Sequence, residues 1–328
     1  MNRYFTPPLP IRNSHVQTTL TSLRVRKYLA KKKATVLKQH EQQIILNCSD
    51  GVRLLGAYSQ YPAGAKGLVV LIHGWEGSAD SSYMLSAGST LFQAGYSIFR
   101  LNLRDHGESH HLNPQPFNSS RLIEVVDAVK EIRRLFPHRK CFLAGFSLGG
   151  NFAIRVALEA PKSGLRLSRI VAISPLVNPL TTTENMEDNH KIYHHYFVKK
   201  WKKSLRKKME CFPEMGDGSI LLQLKTLRQM HDYFVPLYTN STTTAAYFDT
   251  YRLKPEEMQN LVIPTQIISA KDDPITRVSE LKIFADMDIA ALKIDKIPYG
   301  GHCGFIENLK FDSWLDRQLV KLFNDAGR

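Results

Sequence analysis

The chain has 328 residues, of which 43% are hydrophobic and 23% charged. That composition is ordinary for a soluble globular protein, and the absence of an apolar run long enough for a bilayer excludes a membrane-spanning helix. A net charge of +14 leaves nucleic acid, an anionic membrane surface and acidic substrates open as partners.

The first ten residues, Met1 to Pro10, carry neither the apolar core nor the small-residue cleavage site of a signal peptide. Cys48, Cys141, Cys211 and Cys303 are scattered, with no metal-type or disulfide-framework spacing. Together these features predict reduced thiols in a cytoplasmic protein. Residues 1–40 begin with prolines and turn basic, with Arg24, Arg26, Lys27 and Lys31 to Lys33 set among Leu23, Val25, Tyr28 and Leu29. This reads as an extended arm followed by a short helix packed on the main domain. Gln43–Leu46 and Val52–Tyr58 flank Asp50-Gly51, which predicts a hairpin.

Strands and helices then alternate. Gly67–Ile72 reads as a buried strand, Ser82–Gln93 as a helix and Tyr96–Leu103 as a strand. Ser120–Phe136 has Leu122, Val125, Val126, Val129 and Ile132 on one helical face. The Cys141 strand leads through Gly145-Phe146-Ser147-Leu148-Gly149 into a helix that Pro161 is expected to stop. Arg169–Ile173, Thr265–Ser269 and Ala291–Ile297 read as further strands, and Trp314–Phe323 as the last helix. Such alternation implies a mostly parallel sheet with helices on both faces.

One region breaks the rhythm. Between Pro179 and Pro264 no strand is evident, and Ile192, Tyr193, Tyr196, Phe197, Trp201, Leu205 and Met209 recur at helical spacing. Residues 180–261 are therefore expected to form a helical cap inserted after the sixth strand. The core is then 41–179 with 262–328, and 1–40 is the arm. Lys199, Lys200, Lys202, Lys203, Arg206, Lys207 and Lys208 crowd the cap, with no acidic residue between 191 and 208. This predicts reversible docking on anionic lipid, against the plainer expectation of a solvated lysine face.

Strand, Gly-x-Ser-x-Gly and helix in that order suggest a nucleophile elbow at Ser147. A serine hydroxyl needs a base that is neutral near pH 7, and a carboxylate to hold that base in the right tautomer. Asp272-Asp273-Pro274 follows one late strand and His302 lies beyond the last. The order serine, aspartate, histidine fits that chemistry. Asp273, directly before the proline, is the expected acid, with Asp272 supporting the loop. The amide of Leu148 and that of Trp75, in His73-Gly74-Trp75-Glu76-Gly77-Ser78, are the expected oxyanion donors.

These stretches, with Phe5-Thr6-Pro7-Pro8, Asn13-Ser14-His15-Val16-Gln17-Thr18, Asn102-Leu103-Arg104-Asp105-His106-Gly107 and Gly150-Asn151, resemble the α/β hydrolases of the YheT-like branch. That branch also contains the vertebrate abhydrolase-domain lipases and the yeast medium-chain fatty-acid ethyl ester synthase/esterases. The resemblance implies an α/β-hydrolase fold and a serine ester hydrolase acting on lipid-like or short-to-medium acyl esters, with Ser147, Asp273 and His302 as the triad. Unlike the membrane-anchored relatives, the chain is expected to have no amino-terminal transmembrane helix. It also has Arg104-Asp105-His106-Gly107 where many of them have Arg-Gly-x-Gly.

Acyl transfer to an alcohol on the same site, or a non-catalytic membrane-associated protein, are the alternatives. No cofactor, metal or nucleic acid is expected. Asp105, His106, His110 and His111 in one stretch, and His190, His194 and His195 in another, are the groupings in which a metal would be sought.

Overall fold

The computed structural model describes residues 5–62, 64–215 and 218–326. Residues 1–4 of the expected arm, and 216 and 217 of the expected cap, lie outside the described residues. Among the described residues eight strands form one sheet: β1 (Glu41–Asn47), β2 (Arg53–Ser59), β3 (Leu68–Ile72), β4 (Ser97–Leu101), β5 (Cys141–Phe146), β6 (Arg169–Ile173), β7 (Thr265–Ala270) and β8 (Leu292–Ile297). Their order is β1-β2-β4-β3-β5-β6-β7-β8. β1 pairs antiparallel with β2, and β2 with β4; all other pairs are parallel. At the β1–β2 turn Asp50 and Gly51 both have positive φ, 54° and 70°, as a tight hairpin requires.

The central strands are apolar throughout because both faces are covered. In β3, Leu68, Val70 and Ile72 enter one core, while Val69 and Leu71 enter the other. Helices α5 (Leu122–Leu135) and α6 (Leu148–Ser163) pack into the first core, and α4 (Ser82–Gln93) and α14 (Trp314–Asp325) into the second.

Before the sheet, the sequence pattern suggested an extended arm and one helix. Among the described residues the structure has three α-helices there, α1 (Ser14–Leu20), α2 (Arg24–Lys33) and α3 (Thr35–Gln39). The missed start of α1 is an asparagine cap: Asn13 Oδ1 accepts the backbone N–H of His15 and Val16 at 2.9 and 3.3 Å. Pro161 does not stop α6 either. The helix runs through it and ends at Gly164, left-handed at φ 69°. Gly164 supplies the terminating conformation, while a proline in the last turn removes only one intrahelical donor.

Between β6 and β7 the chain is helical: α7 (Pro179–Asp188), α8 (Lys191–Cys211), α9 (Ser219–Gln223), α10 (Leu227–Tyr238), α11 (Thr244–Asp249) and α12 (Pro255–Met258). The short α13 (Lys282–Ala285) precedes β8. In α8, His194, Val198, Trp201, Leu205 and Lys208 are buried; the spacing of three and four defines its inward face. Trp201 and Leu205 join Met186, Leu227, Met230 and Phe234 in a separate apolar cluster.

One member of the lysine run is misread from sequence. Lys208 is 1% exposed. Its ammonium donates to Asp105 at 2.7 Å, to the His110 carbonyl at 3.1 Å and to the Asn113 carbonyl. It is the inward polar anchor of α8 on the 105–113 loop and contributes nothing to a solvated basic face. Removing one side of such a buried pair costs roughly 3–5 kcal/mol, so this contact holds α8 to the sheet.

Candidate active site

The elbow lies at the carboxyl end of β5, where open α/β sheets place their ligand sites. Ser147 has φ 54° and ψ −119°, a sparsely populated conformation for a non-glycine residue. The turn is tight enough to exclude side chains on either side. A Cβ at Gly145 would lie 1.9 Å from the Gly149 carbonyl oxygen, and one at Gly149 would lie 2.4 Å from that of Ile72. Ser147 immediately precedes α6, so its hydroxyl sits at the positive end of a 16-residue helix.

The residues suggested by sequence converge there. His302 Nε2 is 2.9 Å from Ser147 Oγ, and His302 Nδ1 is 2.9 Å from Asp273 Oδ2. Asp273 is fixed from its other side. Its Oδ1 accepts the N–H of Ile275 and Thr276 at 2.8 and 3.0 Å, and its Oδ2 accepts the Thr276 hydroxyl at 2.9 Å. Asp272 does not face the imidazole. Its Oδ1 accepts the Gly301 N–H at 2.9 Å and so shapes the histidine loop. Burial disfavours charge on His302, but the Asp273 carboxylate and, after it, Cys303 together outweigh it, and the pKa stands well above the ordinary histidine value.

Among the described residues, neither the Leu148 nor the Trp75 amide donates to a protein acceptor. Two histidines brace the Trp75 loop. His73 donates through Nδ1 to the Gly74 carbonyl at 2.8 Å and accepts the Leu103 N–H on Nε2 at 3.1 Å. His106 donates through Nδ1 to the Arg104 carbonyl at 2.7 Å and accepts the Glu76 N–H on Nε2 at 3.0 Å. Burial lowers the pKa of His73 well below the ordinary value and that of His106 to about 4. Both rings are therefore neutral, and each has one nitrogen donating and one accepting. Among the described residues no three His, Cys, Asp or Glu side chains converge as a metal site would. His106 is taken up by the bracing, and His110 Nε2 lies 2.9 Å from Ser204 Oγ.

Sequence reasoning missed what the amino-terminal motif does. The Gln17 amide donates to the carbonyls of Ile11 and Ile306 at 2.7 and 2.9 Å, and its oxygen accepts the Ile306 N–H at 2.8 Å. Thr18 Oγ1 accepts the His302 N–H at 2.9 Å. A Cβ at Gly301 would come 2.5 Å from the Ser14 carbonyl oxygen, so the loop glycines serve close packing on α1. His15 Nδ1 and the Tyr193 hydroxyl are 2.8 Å apart and join α1 to α8. Helix α1 is thus the platform for the His302 loop, and Thr18 is a positioning residue. Thr18→Val keeps the shape but leaves the His302 amide unpaired. It is expected to lower kcat by about 10- to 100-fold with little change in KM, because small misplacements of reacting groups have effects of that size. Thr18→Ser should restore the rate, as steady-state kinetics on the two variants will test.

Ser147 lines two spaces. One lies beneath the helices that follow β6 and is walled by Leu148, Met186, Phe197, Trp201, Phe234 and Ile275. The other is a cleft bordered by α1, α2 and α8, with Thr18, Lys27, Tyr196, Lys200 and His302 among its lining. An apolar chain can enter the first while its ester carbonyl meets Ser147, and the rest of the ester can occupy the second.

Comparison with known proteins agrees with this architecture. Residues 67–309 match the family described as alpha/beta hydrolase fold. The YheT protein of Escherichia coli (strain K12) is 26% identical over 333 residues, covering 96% of this chain and 91% of its own. Phospholipase ABHD3 of Bos taurus is 21% identical over 260 residues, covering 78% of this chain; the match spans 62% of the phospholipase's length. Among solved structures, the Pyrococcus furiosus esterase Pf2001 superposes with a TM-score of 0.61 at 16% identity, covering 88% of this chain and 91% of that one. No helix among the described residues is long and apolar enough to cross a membrane. With the family match covering well over half its length and the fold agreeing, the chain belongs to the α/β-hydrolase family.

Proposed function

We propose that the protein is a serine hydrolase of carboxylic esters with lipid-like or short-to-medium acyl chains. The observation that carries this reading is the pair of 2.9 Å contacts linking Ser147 to His302 and His302 to Asp273. They lie where a cavity beneath the cap and a second, largely apolar cleft meet. Relatives called esterase and phospholipase support an ester substrate. In this reading residues 180–261 act as a cap, 1–40 as an arm, and 41–179 with 262–328 as the core.

The chemistry follows from the geometry. Asp273 holds the proton of His302 on Nδ1, which leaves the Nε2 lone pair facing Ser147. As Ser147 Oγ bonds to the ester carbon, Nε2 takes the hydroxyl proton and the carbonyl oxygen becomes an oxyanion. The amides of Leu148 and Trp75 stabilise that oxygen. Collapse breaks the bond to the alcohol, which receives the proton from Nε2. Water then repeats the sequence on the acyl-enzyme and releases the acid.

The cavity beneath the cap supplies a test. Each buried methylene contributes about 0.8 kcal/mol. For p-nitrophenyl esters of graded length, kcat/KM should therefore rise from acetate into the medium-chain range, then fall once the chain exceeds the cavity. Turnover of no ester in the series above the background of the Ser147→Ala protein contradicts the reading.

A further inference from the structure

We infer that the mouth of the cleft is a two-helix docking surface for bilayers carrying anionic phospholipid headgroups, built equally from α2 and α8. The inference rests on the ester-hydrolase reading only for its purpose, which is to bring an ester in the bilayer before Ser147.

The cleft opens between the two helices. Leu23 and Lys27 line it from the start of α2, and Ile192, Tyr196 and Lys200 line it from α8. Lys27 and Lys200 thus both border the opening, and burial, and after it the charge of Lys200, lowers the pKa of Lys27. Outward from that rim both helices carry the same pattern. On α2, Tyr28 is 66% exposed and lies among exposed Arg24, Val25, Lys27 and Lys31. On α8, Ile192 is 67% exposed and leads an outward stripe through Tyr196, Lys199 and Lys203. The spacing of four, three and four along α8 puts these side chains on one face.

Neither outward face carries its own counter-charge. No Asp or Glu occurs from Arg24 to Lys33 or from Lys191 to Lys208. Among the described residues, Arg24, Lys27, Lys31, Lys199, Lys200 and Lys203 form no ion pair, whereas Lys33, Lys207 and Lys208 do. Lys208 is turned inward, Lys33 pairs with Asp316 on the other side of α2, and Lys207, one turn beyond Lys203, marks where the unpaired stretch of α8 ends. Exposed apolar side chains among unpaired cations match an interface of apolar tails beneath anionic headgroups. A second copy of the chain does not suit the same face, since it would set cation against cation.

Vesicle sedimentation tests the inference, using the Ser147→Ala protein so that turnover cannot disturb the lipid. It should sediment with phosphatidylserine–phosphatidylcholine vesicles at low salt, remain in solution with phosphatidylcholine alone, and be released by salt. Arg24→Glu with Lys31→Glu, and separately Lys199→Glu with Lys203→Glu, should each weaken binding by about tenfold or more. Tyr28→Ser should weaken it too. In the wild-type background these variants should leave turnover of dissolved p-nitrophenyl butanoate unchanged, because none of them lines the cleft. Equal recovery in the supernatant with both vesicle types, or equal binding to both, overturns the inference. So does a loss confined to the α8 pair, which leaves α2 no part in docking. If the wild-type protein binds vesicles but hydrolyses no ester, the enzymatic reading fails and the docking surface stands.

Discussion

Ser147→Ala is expected to lower kcat for ester hydrolysis by about 10⁴- to 10⁶-fold, the range over which triad enzymes respond to loss of their nucleophile. The change removes one oxygen atom and leaves the Cβ in place. The residue keeps its positive φ of 54°, which alanine tolerates no worse than serine, so the melting temperature should stay within a few degrees. The remaining rate would come from the oxyanion donors and from binding, which persist without the nucleophile. Cys303, next to the base, is the obvious competitor for the nucleophile's role. It borders the cleft, but it is only 7% exposed and its Sγ donates to the Ile173 carbonyl at 3.9 Å, whereas the 2.9 Å contact to His302 Nε2 belongs to Ser147. A near-wild-type rate in Ser147→Ala would reject Ser147 as the nucleophile.

Asp273→Asn carries the second large effect, a loss of about 10⁴ in kcat. The asparagine amide can present its N–H to Nδ1, which puts the histidine proton on Nε2 and leaves Ser147 facing a donor in place of a base. The substitution has a second signature. Hydrolysis requires neutral His302, so kcat/KM rises as pH passes upward through its pKa. The carboxylate raises that pKa; without it, the acid limb of residual activity must move to lower pH. Asp272→Asn should produce neither effect, since its contact is with the Gly301 N–H. A larger loss at position 272 than at 273 would reverse the assignment.

The elbow was legible because its signal is local. A strand, two obligatory glycines and a helix lie within one continuous stretch, and β3's alternation between two cores follows from a period of two. Contacts that join distant parts of the chain left no such trace. Thr18 and His302 are 284 positions apart, and nothing near Thr18 indicates that it holds the His302 loop. Lys208 looked like one more member of a basic run, because Asp105, 103 positions away, is what draws it inside. The histidines of the 104–111 stretch suggested metal by composition, but their roles depend on which backbone groups the fold brings to each ring nitrogen. The choice between Asp272 and Asp273 followed only from loop custom; in the structure the two adjacent side chains turn to different partners.

The central claim is that Ser147 is the single activated nucleophile. Its most direct test is to treat the wild-type protein with a fluorophosphonate, measure the intact mass and map the modified peptide. One adduct per chain, located on Ser147 and absent after prior Asp273→Asn or Ser147→Ala substitution, is the result expected. An adduct on any other residue, or no adduct on a folded protein, would contradict the account.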